Sequence, residues 1–206
     1  MKESKLTQAL GFIIDLVFAG VLWLVCSLPV LTLGPATSAL YYAAVKCIRH
    51  DRGRLPKVFF AGFRRHFRQS FPMWLLYLGL LALALLDIYG YSHMGLDRGR
   101  ELSALGGVVL IPALLSFPWM FAYISRFDNS FGGSLRFVAY LCFRHVGRTL
   151  LLTLELLGFL VIAWLIPYLL PIIPGPFALL MSLQIEPVFR DYTFDQGEGK
   201  DDWYNE

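Results

Sequence analysis

Apolar residues run along this chain in long blocks separated by short basic stretches. Four blocks, Leu10–Leu33, Phe71–Tyr91, Leu102–Ile124 and Thr149–Leu170, reach about 20 residues. That is the length a helix needs to cross lipid, where backbone polar groups find no water and must bond within the helix. Two more, Gly34–Ile48 and Gly175–Phe189, extend roughly 22 Å at 1.5 Å per residue, short of a hydrocarbon core of about 30 Å. Each follows a proline-containing turn, Leu28–Pro35 or Pro171–Pro176. Proline is tolerated in the first turn of a helix because its missing N–H has no partner there. Both short segments are therefore expected to start inside the bilayer. The pattern predicts an all-α polytopic helical membrane bundle: six hydrophobic segments arranged as three hairpins, the second and sixth short.

Three of these stretches can be laid over one another. Pro35–Arg49, Pro112–Arg126 and Pro176–Arg190 each open on proline, pass through apolar and aromatic residues and end on arginine, with Asp51, Asp128 or Asp191 close behind. We read residues 1–190 as a single transmembrane domain carrying an imperfect parallel repeat. Its copies are about 35–91 and 112–170, with a partial third at 176–190. Residues 191–206, with Asp195, Glu198, Asp201, Asp202 and Glu206 among glycines, are too polar to insert and are expected to form a mobile acidic cytoplasmic tail.

The two basic loops, Lys46–Arg68 and Arg126–Arg148, have the same length and similar endings, Arg65-His66 and Arg144-His145. In the first, Leu55, Phe59, Phe63 and Phe67 recur every four residues, widened by Phe60 and Phe71, while Lys57, Arg64 and Arg68 take other faces. This spacing suggests an amphipathic helix lying on the inner leaflet, with apolar side chains in the acyl boundary and cations on phosphates. Phe131, Leu135, Val138 and Leu141 repeat the stripe more weakly in the second loop. Lys57, Arg64, Arg65, Arg68, Arg144 and Arg148 are the candidate lipid- or partner-binding residues.

Composition agrees with this class. The chain is 57% hydrophobic and 16% charged, with a mean hydropathy of +0.58, against about 25% charged in soluble domains. The net charge of +3 matters only through its placement. On the predicted segments only Arg98 and Arg100 fall on the side opposite all other basic residues. Basic loops mark the cytoplasmic face, so both termini are expected in the cytoplasm. The first block contains Asp15 and lacks a small-residue cleavage site, and Trp23-Leu24-Val25 before Cys26 is too bulky for lipoprotein processing. It is expected to stay as a membrane helix. Cys26, Cys47 and Cys142 form no CxxC pair and no even framework.

Catalytic signatures are missing. The sequence has no HExxH, no GxSxG, no glycine-rich phosphate loop and no metal-ligand spacing. We expect no enzyme activity, no cofactor and no metal. His50, His66, His93 and His145 fall in loops or at membrane edges, where interfacial anchoring is the expected role, with headgroup binding or pH sensing as the alternative for His66 and His145. Acids within apolar segments invite suspicion, since charge in a bilayer is costly and needs a partner or a task. Asp15, Glu155 and Glu186 are such acids. With the helix-end arginines Arg49, Arg126 and Arg190 they form a candidate intramembrane polar cluster, either structural or a proton- or cation-linked path. Glu186 precedes Arg190 by four residues, the favourable order for a helical ion pair. Tyr41, Tyr42, Trp119 and Tyr123 could stack on a sugar, although packing is the commoner use of such rings. Basic–aromatic interleaving on an apolar bundle suits anionic lipid, and nucleic acid is not expected as a partner.

The stretch Trp23–Tyr42 (WLVCSLPVLTLGPATSALYY), followed by a basic segment with Phe59-Phe60 and Phe67-Arg68-Gln69, resembles the YesL-like family of bacterial integral membrane proteins, a domain of unknown function. Segment layout extends the likeness over nearly the whole chain, although Pro35 stands where the family usually has a small residue. The resemblance implies a protein of the bacterial plasma membrane, commonly encoded beside sugar-uptake and polysaccharide-degradation genes, with no agreed catalytic residues. It implies a role accessory to carbohydrate uptake or its regulation, with a sugar-uptake transporter or another membrane protein as partner. The chain lacks the loop motif by which sugar permeases couple to their ATPase. The alternative is a small secondary transporter or permease using the intramembrane acids.

Overall fold

The computed structural model describes residues 5–94 and 96–194. Among them are seven α-helices and no strand: α1 (Lys5–Ser27), α2 (Leu33–Ala43), α3 (Leu55–Met94), α4 (Leu96–Arg126), α5 (Phe131–Arg144), α6 (Val146–Leu165) and α7 (Pro174–Phe194). The acidic tail from residue 195 onward lies outside the described residues, as do the side chains of Lys2, Lys5, His93, Arg98, Arg100 and Lys200.

Local chemistry sets most helix ends. Pro35 falls in the first turn of α2, and Pro174 and Pro176 in that of α7, where no intrahelical N–H is lost. Ser130 caps α5, its hydroxyl accepting from the Gly133 amide at 3.2 Å. His145, at φ −119° and ψ 50°, is the one-residue break between α5 and α6. Beyond α2 the chain widens into a π-helical turn, Ala44–Arg49. It then reverses through Asp51 and Gly53, both at positive φ.

The most continuously buried stretches are residues 34–48, 118–125 and the inward face of 178–189. These are the three aligned segments. α2 lies between two apolar clusters. Ala36, Ala39, Ala43 and Ala44 pack with Ala19, Trp23 and Phe59 on one side. Tyr41 and Val45 join Trp74, Trp119, Phe121 and Ile185 on the other. Close approach needs small residues. A Cβ on Gly34 would strike the Trp74 side chain, and one on Gly175 would strike the Leu16 carbonyl.

The outer helices turn their apolar side chains outward. Leu10–Ser27, Leu55–Asp87 and Val146–Leu165 are long and apolar enough to cross a membrane, and only 22% of each one's most apolar window is buried within the protein. Ile13, Ile14, Leu85, Leu86, Leu154 and Val161 are all exposed. Apolar surface on this scale exceeds what a water-soluble monomer presents and fits a membrane-embedded protein.

Two expectations need correction. The amphipathic stretch and the following apolar block are one 40-residue helix, α3, which runs straight through Pro72. The lost hydrogen bond costs about 3 kcal/mol, but packing on both sides holds the helix together. Phe67 stacks on Phe71 at 5.3 Å, and Ser70 bonds Ser38 at 2.8 Å. The apolar stripe is also mostly internal. Leu55 and Phe59 are buried against α2 and the π turn, Phe63, Phe67 and Phe71 are half-buried, and Phe60 alone of the stripe is exposed. In α5, Val138 and Leu141 are likewise buried in the core.

Candidate functional site

The proposed polar cluster divides into separate sites. Its centre is a buried ion pair: Arg126 Nη1 lies 2.6 Å from Glu186 Oε2, with side-chain exposures of 2% and 8%. Tyr41 donates to the other carboxylate oxygen at 3.0 Å. Arg49 stands close by and donates to the Ser182 carbonyl at 3.0 Å. The Arg126 guanidinium also lies over the rings of Phe127 and Phe189, 5.3 and 5.5 Å from their centroids. Each aligned segment thus contributes: Tyr41 and Arg49 from the first, Arg126 from the second, Glu186 from the third. The i, i+4 partner expected for Glu186 is replaced. Arg190 is exposed and can be solvated, whereas Arg126, buried, has its counter-charge in Glu186.

Glu155 and Asp15 stand elsewhere. Glu155 accepts from the Gln184 side-chain amide across α6 and α7, and its Oε2 is buried with no hydrogen-bond partner among the described residues. Asp15, on α1, is half-buried and interacts electrostatically with Asp51 and Cys47. The three acids thus have different neighbours: Gln184 for Glu155, Asp51 and Cys47 for Asp15, Arg126 and Tyr41 for Glu186.

The histidines differ from one another. His66, expected at the interface, is 4% exposed and lies against the Tyr42 ring at 5.4 Å, with neither ring nitrogen hydrogen-bonded among the described residues. His145 lies against Trp119 at 6.5 Å and reaches the Tyr192 hydroxyl at 3.2 Å. Trp119 occupies the position aligned with Tyr42, so each aligned histidine meets an aligned ring. Partial burial, then Arg148 and Arg144, lower the His145 pKa, opposed by Asp191. Burial, then Arg49 and Arg52, do the same to His50. Tyr41, Tyr42, Trp119 and Tyr123 are all buried, so no ring face is open to stack on a sugar.

The two basic loops meet. Arg65 pairs with Asp128 at 3.3 Å, with side-chain exposures of 53% and 74%. Gln69 donates to the Asn129 carbonyl and the Ser134 hydroxyl, both at 3.0 Å. Arg68 lies beside this bridge, and Lys57, Arg64, Arg68, Arg136, Arg144 and Arg148 are all exposed. Phe131, Tyr140, Phe143 and Val146 are exposed among the α5 and α6 cations, Phe143 at 84%. Among the described residues no group of three or more His, Cys, Asp or Glu side chains is placed to hold a metal ion.

A family described as "Protein of unknown function, DUF624" matches residues 16–88, which covers about half of α1, all of α2 and the π turn, and most of α3. No curated protein and no solved structure matches the chain.

Proposed function

We propose that this is a non-enzymatic, YesL-like multi-pass protein of a bacterial plasma membrane. Six apolar segments form three hairpins, and both termini face the cytoplasm. In this reading its basic face binds anionic lipid headgroups and docks a membrane partner, in a role accessory to carbohydrate uptake or its regulation. The observation that carries the reading is the Arg65–Asp128 and Gln69–Asn129 bridge. It joins segments 60 residues apart in sequence and sets Arg65 and Arg68 beside Asp128, Asn129 and the exposed Phe131. Cations beside exposed aromatics suit a headgroup layer, where each basic side chain near an anionic surface contributes about 1 kcal/mol. The sugar-uptake element rests on the family resemblance alone. A transporter threading Asp15, Glu155 and Glu186 has less support, because these acids occupy three separate environments.

The test replaces Arg64, Arg65 and Arg68 together by glutamine. Lipid retained by the purified protein from mixed phosphatidylglycerol–phosphatidylcholine nanodiscs should lose its anionic enrichment, and crosslinking in native membranes should lose its partner band, with folding intact. Unchanged enrichment and unchanged crosslinking would sink the proposal. Reporter tags after Arg68 and after Arg100 should land on opposite sides of the membrane.

A further inference from the structure

Beyond the first turns of α2 and α7 the described residues leave a half-open apolar recess. These helices start at Leu33 and Pro174, while α3 and α4, at 40 and 31 residues, continue. From Tyr77, which bonds Ser116 of α4 at 2.9 Å, α3 runs on to Met94, about 25 Å further at 1.5 Å per residue. A cavity of about 470 Å³ results, floored by Thr37 and Phe177 and walled by Trp23, Trp74, Phe117 and Phe159. Protein interiors rarely leave voids larger than a water molecule. This volume belongs instead to the range of ligand sites, roughly 300–1,000 Å³.

The wall has four polar side-chain atoms, and each is bonded inside the protein. Trp23 Nε1 donates to Thr37 Oγ1 at 3.2 Å, and Thr37 Oγ1 donates to the Leu33 carbonyl at 2.8 Å. Trp74 Nε1 donates to the Val30 carbonyl at 2.6 Å, and the Tyr77 hydroxyl is held by Ser116. A sugar, ion or nucleotide would leave its polar groups unpaired here, and water avoids so apolar a cavity. The rim is equally telling. Leu81, Leu114 and Leu160 line the cavity and are also exposed on the outer apolar surface, so it opens sideways onto the surface that faces lipid. A narrower apolar recess shares Leu40, Phe117 and Phe177 with this cavity and ends at Tyr41, the donor to Glu186.

We propose that this cavity binds one acyl chain of a membrane phospholipid, which enters laterally between the helices past Leu81, Leu114 and Leu160. The proposal rests on the membrane placement but is independent of the basic face. The full-length protein is placed in phosphatidylcholine nanodiscs doped with a phospholipid carrying a diazirine at its acyl terminus, irradiated, and mapped by mass spectrometry. Label should concentrate on Trp74, Tyr77 and Phe117 and fall at least fivefold in the cavity-filling variant Ala113→Trp, while label on outward-facing Leu151 and Leu154 stays unchanged. If Ala113→Trp does not fold, Ala163→Phe fills the rim instead. Equal labelling of cavity and outer faces, or no drop in a folded filling variant, overturns the proposal and leaves only surrounding lipid. Cavity labelling by a free diazirine fatty acid but not by the phospholipid overturns it as well, by assigning another source. Replacing Arg64, Arg65 and Arg68 by glutamine should leave cavity labelling intact, so this inference and the basic-face reading fail separately.

Discussion

Neutralising Glu186 tests the centre of the bundle. Glu186→Gln keeps shape and volume, and its amide oxygen can still accept from Tyr41. It removes the carboxylate charge of the 2.6 Å pair with Arg126 and leaves that guanidinium near a second cation, Arg49. With side-chain exposures of 2% and 8%, solvent cannot replace the lost partner. At an effective dielectric of about 20 the direct attraction at this separation is about 6 kcal/mol, of which desolvation cancels a large share. Breaking such a pair from one side costs about 3–5 kcal/mol. For a chain of this size that lowers the unfolding midpoint by about 10 °C, read by tryptophan fluorescence on protein in detergent micelles. Replacing both partners by methionine should recover most of the loss, since an apolar pair of similar volume needs no counter-charge. Arg190→Gln should have almost no effect, because Arg190 is exposed. The reasoning is refuted if Glu186→Gln unfolds within 2 °C of the parent, or if Arg190→Gln loses as much.

Two further predictions concern packing and pH. Valine at Gly175 would drive its side chain into the Leu16 carbonyl, and valine at Gly20 into that of Pro171. Backbone cannot retreat as a flexible side chain can, so each variant should lose at least about 2 kcal/mol; cysteine crosslinking between α1 and α7 should weaken in step, whereas Gly158→Val, with open space around it, should do neither. His145 has a pKa below its usual 6.5, caused by partial burial and then by Arg148 and Arg144, so the folded state favours the neutral ring. That contribution is complete above the unfolded-state value and is lost as pH falls through the lower folded one. The unfolding midpoint should therefore drop between pH 7 and pH 5, and less steeply in His145→Gln; equal slopes would exclude His145 as the titrating group.

The helical segments were legible because hydrocarbon-length apolar blocks and first-turn prolines act locally. α6 begins at Val146 and α7 at Pro174, each within a few residues of the pattern's prediction. Partners were not legible. A stripe such as Leu55, Phe59, Phe63 and Phe67 looks the same whether it faces acyl chains or another helix. The clue lay on α2, where Gly34, Ala36, Ala39 and Ala43 offer a small-residue face, with Gly62 on α3 lying against Tyr42. Small residues in apolar helices signal close helix contact, and that contact buries Phe59. Helical spacing also misdirected the reading of Glu186. The i, i+4 rule describes a solvated surface helix, whereas a buried carboxylate pairs with whichever cation is buried beside it. His66 gave no sign at all, since its neighbours Arg65 and Phe67 suit an interface equally well.

The three proline-led segments draw these points together. A lone short helix ending on a buried arginine would be unstable in an apolar bundle, because its cation could not leave lipid-like surroundings unpaired. Here the three segments meet at one polar centre. Arg49 reaches a carbonyl of the third segment, Arg126 takes the third segment's carboxylate, and Arg190 remains outside. The polar centre therefore ties α2, α4 and α7 together while α1, α3 and α6 present apolar surface outward. Of these, α2 is short, 11 residues: it carries Tyr41 to the charged centre, and the apolar recess opens beyond its first turn.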